Sequence, residues 1–342
     1  MLIPGFPGFF IQLILKKSKM RIFALVSMIL FSTIINDKIF CQPVKEHGQL
    51  WVDGTNLKDK NGNVCMLEGV SYGWHNWWPR FYNAGTVKWL RDDWNCSVLR
   101  AAMGVEPDSG YFKKAEWSKN KIKAVVDAAI EDGVYVIIDW HCHNIRLEEA
   151  KIFFKEMAIT YGKNPNIIYE IFNEPERNSW EQVKSYSTEL ISEIRKYDRN
   201  NIILIGSPHW DQDLDVVADN PITGFKNIMY TVHFYAATHK QWLRDKCNYA
   251  INKGLPLFVS ESGGMEASGD GDFDYSEWNL WIDWMKQNNI SWVSWSISDK
   301  NEKCSMVFPS ANSEGGWTDN DLTESGKFVR NELRKSSLHN NK

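Results

Sequence analysis

Eight short apolar segments alternate with amphipathic stretches from about residue 64 onward, and this alternation constrains the fold more than any other feature. The segments are rich in β-branched and aromatic residues and are apolar along their whole length, which is typical of strands buried on both faces of a parallel sheet. The stretches between them repeat apolar residues at helical spacing. The predicted strands are residues 65–71, 97–102, 134–139, 166–172, 201–206, 227–234, 256–262 and 291–298.

Eight strand–helix units predict a closed (β/α)8 TIM barrel, a fold of about 250 residues. An open doubly wound sheet is the competing fold, and it usually carries a glycine-rich phosphate loop after its first strand. The segment "EGVSYGWHNWW" has no such pattern, and the chain has no internal repeat or linker. We therefore predict one α/β domain over residues 42–342, with a last helix over 325–335.

The N-terminal part has the pattern of a secretory signal peptide within residues 1–41. An apolar run covers residues 22–35, and basic residues precede it, namely Lys16, Lys17, Lys19 and Arg21. This run is shorter than the roughly 20 residues that span a bilayer. Met20 stands just before Arg21, so residues 1–19 are interpreted as a gene-model extension. We expect a secreted, extracellular protein without stable membrane association.

Charge and composition exclude several classes of function. The formal net charge is -4 and no basic stripe is present, which argues against binding to nucleic acid. The 17 tryptophans suit a protein that stacks flat ligands, although core packing accounts for many of them. The "HCH" sequence at residues 141–143 offers two histidines without an evident third ligand. We therefore predict no metal site and no cofactor.

Polar residues stand at the C-terminal ends of the predicted strands, where the active sites of barrel enzymes form. Glu174 and Glu261 are the two acids that both occupy such ends next to polar neighbours. The other residues of this set are Arg100, His141, Asn173, His233, Tyr235 and Trp295.

Two carboxyl groups at one rim suit the hydrolysis of a glycosidic bond, in which one acid protonates the leaving oxygen and the other attacks the sugar. Arg100 and Tyr235 beside Glu261 are expected to hold it ionised, while Glu174 titrates at higher pH and acts as the acid. Retention of configuration requires a separation of about 5–5.5 Å, and inversion one of about 6.5 Å or more.

Over residues 46–335 the sequence resembles glycoside hydrolase family 5, in particular its β-1,4-endoglucanases. The resemblance rests on "KWLRDDW", "VLRAAM", "YVIIDWH", "IIYEIFNEP", "YTVHFYAATH", "LFVSES" and "WVSWSISDKNE" in this order. It implies that Glu174 is the general acid/base and Glu261 the nucleophile. It also implies that Asn173 holds the sugar 2-hydroxyl, and that Arg100 and Tyr235 steady Glu261.

The same resemblance implies the substrate contacts. Trp295 stacks beneath the sugar, Trp77 and Trp210 are platforms on either side, and the polar contacts come from His141, His233, Lys300 and Glu302. The sequence departs from the family pattern at Ser262, where tryptophan commonly follows the nucleophile, and at Gly73, where histidine is often found.

The sequence therefore predicts a secreted, monomeric endo-β-1,4-glucanase that retains configuration and acts on cellulose or mixed-linkage glucan. A mannanase or xylanase on the same barrel is an alternative, because a fold does not fix the substrate. A glycan-binding barrel without turnover is the alternative outside the enzyme class.

Overall fold

The computed structural model describes residues 42–339, and its central feature is a closed barrel of eight parallel strands. A short antiparallel hairpin precedes the barrel. The hairpin strands are β1 (Trp51–Asp53) and β2 (Asn56–Lys58), and the barrel strands are β3 (Glu68–Tyr72), β4 (Val98–Gly104), β5 (Tyr135–His141), β6 (Ile167–Glu170), β7 (Ile202–Ile205), β8 (Ile228–Tyr235), β9 (Leu257–Gly263) and β10 (Trp292–Ile297). Strand β10 pairs with β3 and closes the barrel, so the predicted (β/α)8 fold and all eight strand positions are confirmed.

Helices connect the strands and cover the barrel. They are α1 (Pro43–His47), α2 (Ala84–Asp92), α3 (Tyr111–Asp132), α4 (Leu147–Tyr161), α5 (Trp180–Ile194), α6 (Pro208–Asp211), α7 (Leu214–Asp219), α8 (Gln241–Asn252), α9 (Tyr275–Gln287) and α10 (Glu324–His339). Ser179 and Gln182 form a capping box at the start of α5. Gly133 ends α3 with φ of 71°, a left-handed conformation that glycine adopts without a steric penalty.

The N-terminal end of the barrel interior is apolar. Leu50 and Leu57, from the hairpin region, join Leu67 in a buried cluster with side chains from seven strands. The strand residues of this cluster are Val98, Tyr135, Ile137, Ile168, Ile202, Leu204, Met229, Phe258 and Val293. This cluster closes one end of the barrel and leaves the other end for polar groups.

The C-terminal end of the interior is polar because side chains two residues apart on a strand share a face. On β5, Tyr135 and Ile137 belong to the apolar cluster, and Asp139 and His141 follow on the same face. Strand β6 shows the same pattern, since Glu170 comes two residues after Ile168. The alternation of side chains along the strands thus produces both the apolar N-terminal end and the polar C-terminal end of the barrel interior.

The predicted N-terminal signal peptide and gene-model extension fall in residues 1–41 and lie outside the described residues. In the part of the chain that the structure describes, no helix combines the length and apolar character needed to cross a membrane.

Candidate active site

The charged groups inside the barrel are arranged around Arg100, which is fully buried on β4. Its Nε and Nη2 donate to the two oxygens of Glu170 at 2.6 and 3.2 Å. Nη1 donates to Glu261 Oε2 at 3.0 Å, and Nη2 lies 3.0 Å from Asp139 Oδ2. One guanidinium therefore meets three carboxyl groups, which compensates charges that would otherwise be costly to bury.

Glu261 is held on both of its oxygens. Tyr235 OH donates to Oε1 at 2.7 Å, while Arg100 donates to Oε2. Tyr235 and Glu261 come from the C-terminal parts of the adjacent strands β8 and β9, so the contacts follow from the strand order. The structure thus contains both contacts that the sequence predicts for Glu261.

Glu174 lies four residues beyond the end of β6. Its backbone N–H donates to the carbonyl of Cys142, which fixes Glu174 against the segment that follows β5. Its Oε1 lies 2.9 Å from Nδ1 of His233, and its Oε2 lies 3.7 Å from Nδ1 of His143. Glu174 therefore faces imidazoles, whereas Glu261 faces a guanidinium and a phenol.

The two carboxyl groups face each other across a short gap. One oxygen of Glu174, one oxygen of Glu261 and a ring nitrogen of His233 all lie within 4.8 Å of one another. This closeness fits the shorter of the two carboxyl separations known for glycoside hydrolysis, in which no space is left for a water molecule between the acids.

The ionisation of the pair differs from the sequence-based expectation. Burial raises the pKa of Glu174, but the hydrogen bond and charge of His233 outweigh burial, so the net shift is downward. The pKa of Glu261 is raised, because burial and the charge of Glu174 outweigh the opposing effects of His233, Arg100 and Tyr235. The expected order, with Glu261 the stronger acid, is therefore wrong for this site, since the sequence does not reveal that His233 sits on Glu174.

His233 is the cation of the pair. Burial lowers its pKa, but the facing carboxyl groups of Asp211, Glu170 and Glu174 raise it well above the ordinary value. Its Nε2 lies 3.0 Å from Ser260 Oγ, which in turn donates to Glu170 Oε1 at 2.7 Å. Because Nδ1 of His233 and Oε1 of Glu174 are in hydrogen-bond contact, the two side chains share a proton.

Asn173 has a fixed orientation and a free amide group. Its Oδ1 accepts a hydrogen bond of 2.6 Å from Arg100 Nη2. Its Nδ2 is buried and meets no hydrogen-bond acceptor among residues 42–339. Buried polar groups are normally paired, so this amide is a donor available to a ligand.

Aromatic rings lead from the rim to the polar centre. Trp77, which is 53% exposed, stacks on Trp74 with 4.8 Å between the ring centroids. Trp74 and His141 make a T-shaped contact with 4.4 Å between the ring centroids. His141 stacks on Trp295 with a centroid distance of 5.2 Å. Asp139 Oδ2 lies 2.7 Å from His141 Nδ1 and fixes the ring. Trp77, His141 and Trp295 thus lie along one wall, which Trp74 completes.

A cavity of about 530 Å³ lies next to the two acids. Its lining residues are Glu174, Trp210, Gln212, His233, Tyr235, His239, Glu261 and Ala267. Trp210 is 42% exposed and presents an aromatic surface to this space. The structure therefore brings the predicted residues Trp210, His233 and Tyr235 together with both acids.

Lys300 and Glu302 are less directly connected to the centre. They form an ion pair with each other after β10. Glu302 Oε2 lies 3.8 Å from the thiol of Cys304, and Cys304 packs in one apolar cluster with Tyr235 and Trp295. Their predicted contacts to sugars stay a prediction.

The two departures from the family pattern are accommodated by packing. Ser262 is fully buried, and its hydroxyl donates to the carbonyl of Val293 at 2.9 Å, which ties β9 to β10. A Cβ at Gly73 would lie 2.8 Å from the ring of Trp78, so the tryptophan occupies the space of a larger side chain.

Several residues of the site were not among the sequence predictions. Glu170, Asp139 and Ser260 support the centre from inside the barrel, and Asp211 faces His233 at 3.3 Å. The sequence carries one usable signal, which is an acid inside an otherwise apolar strand, as in "IIYE" and "VIID". Such an acid points into the barrel and needs a partner.

Among the described residues, Glu174, His233 and Glu261 form a group of acid and histidine side chains close enough to share a metal ion. Within this group Glu174 contacts His233, and Glu261 accepts hydrogen bonds from Arg100 and Tyr235.

A closed (β/α)8 barrel with two acids close together at its C-terminal rim places this protein among the barrel-type glycoside hydrolases. A family model for cellulase (glycosyl hydrolase family 5) matches residues 58–301. The chain belongs to this family.

Similar sequences and structures agree with this membership. An endoglucanase of Clostridium saccharobutylicum is 46% identical over 85% of this chain, and endoglucanase 5 of Pectobacterium carotovorum is 42% identical over 90%. The chain spans only 66% and 62% of the length of these two relatives. A solved structure from Cytophaga hutchinsonii is 46% identical, covers 86% of this chain and 97% of its own, and has a TM-score of 0.85.

A second solved structure contains a sugar chain. It is the catalytic domain of Thermobifida fusca endoglucanase Cel5A in complex with cellotetraose. It is 32% identical, has a TM-score of 0.81 and covers 86% of this chain and 100% of its own.

Proposed function

We propose that this protein is an endo-β-1,4-glucanase that cleaves internal bonds of cellulose-like or mixed-linkage glucans with retention of configuration. The observation that carries the proposal is the close approach of Glu174 and Glu261, within 4.8 Å, in two different environments. The cellotetraose bound by the Thermobifida fusca enzyme supports a glucan as the substrate.

In the first step, an oxygen of Glu261 bonds to the anomeric carbon while the glycosidic C–O bond breaks. Glu174 gives a proton to the departing oxygen at the same time, so that a neutral sugar hydroxyl leaves. Arg100 and Tyr235 hold Glu261 in line for the attack through their hydrogen bonds of 3.0 and 2.7 Å.

In the second step, Glu174 removes a proton from a water molecule that attacks the same carbon, and the bond to Glu261 breaks. His233, whose pKa is raised well above the ordinary value, lies 2.9 Å from Glu174 and can supply the proton that Glu174 transfers. When Glu261 becomes an ester it loses its negative charge, so the proton affinity of Glu174 falls and Glu174 is a base when water attacks.

Binding of the sugar chain follows from the rest of the site. The free Nδ2 of Asn173 suits the 2-hydroxyl of the sugar that reacts, a contact that strengthens in the transition state. Trp210 lines the cavity beside both acids, and Trp77 is the exposed end of the series of ring contacts that reaches Trp295. Aromatic faces with polar edges are the combination that binds pyranose rings.

We also propose that Lys300 and Glu302 bind sugars farther along the glucan chain.

We propose further that the protein is secreted as a monomer. Residues 1–41 are then a signal peptide preceded by a gene-model extension, and they are absent from the mature protein. Secretion fits a polymeric substrate that cannot enter a cell. Sequencing the N-terminus of the mature protein would test the cleavage, and a first residue upstream of Met20 would contradict the interpretation.

The function is tested by following the products of the purified protein on carboxymethylcellulose, mixed-linkage glucan, mannan and xylan. We expect release of reducing sugar from the two glucans, with the β-anomer as the first product in the NMR spectrum. Initial formation of the α-anomer would contradict retention, and preference for mannan or xylan would select that alternative. If Glu261→Gln and the parent protein both bind glucan without hydrolysis, the protein is a binding barrel.

A further inference from the structure

The short segment α6, which follows β7 beside the proposed active site, is a strained turn rather than a regular right-handed helix. Three consecutive residues have left-handed backbone angles, with φ of 52° at His209, 55° at Trp210 and 62° at Asp211. Non-glycine residues adopt such angles at a cost, and three in a row persist only when the surroundings enforce them. The turn presents Trp210 to the cavity, and it also places the carboxyl group of Asp211 beside His233.

Asp211 is fully buried in this turn. Its backbone N–H donates to the carbonyl of Ser207, and its Oδ1 accepts from the backbone N–H of Ser207, so one oxygen anchors the turn. Its Oδ2 meets no hydrogen-bond donor in the described part of the chain. That oxygen lies 3.3 Å from Nε2 of His233. A buried carboxylate oxygen left without a donor is an expensive feature that anchoring alone does not require.

His233 is therefore placed between two carboxyl groups. Its Nδ1 lies 2.9 Å from Glu174, and its Nε2 lies 3.3 Å from Asp211 and 3.0 Å from Ser260. The titratable groups that influence this ring are Asp139 and His141 on β5, Glu170 on β6, Glu174 after β6, Asp211 on α6, Glu261 on β9 and His239 after β8.

We propose that Asp211 is a positioning residue that acts on Glu174 through His233. Its Oδ2 lies 3.3 Å from Nε2 of His233 and holds a proton in this contact, which fixes the orientation and the proton affinity of the ring that shares a proton with Glu174. This inference rests on the proposed role of Glu174 as the acid/base. Burial raises the pKa of Asp211 well above its ordinary value, and the charge of His233 is the main influence that opposes the rise.

Asp211→Asn tests the inference with little change of shape. Its amide oxygen keeps the hydrogen bond from Ser207, so its NH₂ group turns toward Nε2 of His233 and opposes a proton there. The matched control is Asp213→Asn, two residues on, whose carboxyl group pairs with His209 and Lys246 and not with His233. Both variants replace one carboxyl group of the same segment by an amide.

The readout is kcat/KM against pH for two aryl β-cellobiosides. Phenol is a poor leaving group that needs a proton from Glu174, whereas dinitrophenol leaves without one. For Asp211→Asn we expect the alkaline limb of the phenyl profile to move about one pH unit lower and kcat/KM at neutral pH to fall about tenfold. The dinitrophenyl substrate should change by less than about twofold, and Asp213→Asn should match the parent on both.

Other outcomes are equally decisive. An equal fall on both substrates with an unchanged pH profile would mean that Asp211 only anchors the turn, and the inference would be overturned. If the parent and Asp213→Asn hydrolyse neither substrate, the proposed function itself fails. Should Asp211→Asn not fold, Asp211→Ser is measured in the same way.

If Asp211→Ser does not fold either, nitrogen NMR of the parent decides. The signal of the His233 ring is assigned by its loss in His233→Gln, and Nε2 should carry a proton at neutral pH. An Nε2 without a proton would overturn the inference.

Discussion

Asn173 and Arg100 are joined by a hydrogen bond of 2.6 Å that determines how the amide is oriented. Because the guanidinium can only donate, the side-chain oxygen of Asn173 must face it. The NH₂ group is thereby aimed away from Arg100 and is left as a buried donor without an acceptor among residues 42–339. Arg100 thus orients the NH₂ group of Asn173 and also holds Glu261.

We predict that Asn173→Ala lowers kcat/KM on cello-oligosaccharides by about 10²- to 10³-fold, because the variant loses a contact that strengthens in the transition state. KM should change much less than kcat. Steady-state kinetics on cellotetraose would measure the effect.

A substrate lacking the 2-hydroxyl at the reacting sugar provides the control for Asn173. On this deoxy substrate the kcat/KM of the parent should fall close to that of Asn173→Ala. The kcat/KM of Asn173→Ala should fall little further, since both changes remove the same contact. Fully additive losses would show that Asn173 acts elsewhere.

Arg100→Met should lower the free energy of unfolding by about 3–5 kcal/mol at pH 7, the usual cost of removing one partner from a buried ionic network. The variant leaves Asp139, Glu170 and Glu261 without their shared cation. Their protonation should relieve the loss at lower pH. Urea unfolding at pH 7 and pH 4 would measure both effects.

Arg91→Met is the matched control, because Arg91 is also nearly buried but pairs with Asp92 and Asp132 on the helical layer. Arg91→Met should leave catalysis intact, whereas Arg100→Met should abolish it. A similar loss of activity in both variants would contradict a special role for Arg100.

The sequence was sufficient for the barrel because burial of a strand is recorded locally. Each of the eight apolar runs coincides with a strand to within about three residues. The hairpin of β1 and β2 was not predicted, since strands of three residues are too short to show a usable periodicity. Helix α10 ends at His339 rather than at residue 335, as frayed helix ends are weakly specified.

The candidate site was predictable as far as the strand ends reach. That rule collected Arg100, Tyr235 and both acids, whose mutual contacts the structure contains. It could not give the ionisation order, which depends on His233 lying against Glu174 rather than Glu261. Nor could it find Asp211, whose place beside His233 results from a left-handed turn that no sequence pattern announces.

Trp210→Ala should raise KM on long glucans about tenfold and leave kcat on activated aryl cellobiosides within about twofold, because the ring contributes binding rather than chemistry. Its control is Trp51→Ala. Trp51 is 39% exposed, like Trp210 at 42%, but it lies on the hairpin at the closed end of the barrel. Equal effects of the two variants on KM would remove Trp210 from the binding surface.

His75 should make the protein lose stability as the pH falls below neutral. This histidine is fully buried, its Nδ1 accepts from the backbone N–H of Gly104, and its Nε2 lies 2.8 Å from Ser118 Oγ. Burial lowers its pKa to about 3, whereas an unfolded histidine has a pKa of about 6.5. The stability from the neutral ring is therefore complete above pH 6.5 and is lost progressively as the pH falls toward 3.

Between pH 7 and pH 5 this difference in proton binding amounts to about 2 kcal/mol. We predict that His75→Gln, whatever its effect at pH 7, loses about 2 kcal/mol less than the parent over this interval in urea unfolding. The control is His209→Gln, because His209 has a largely exposed side chain, and this variant should follow the parent. If His75→Gln and the parent lose the same free energy of unfolding between pH 7 and pH 5, then the acid sensitivity does not come from His75, and the ring must be accepting protons in the folded protein.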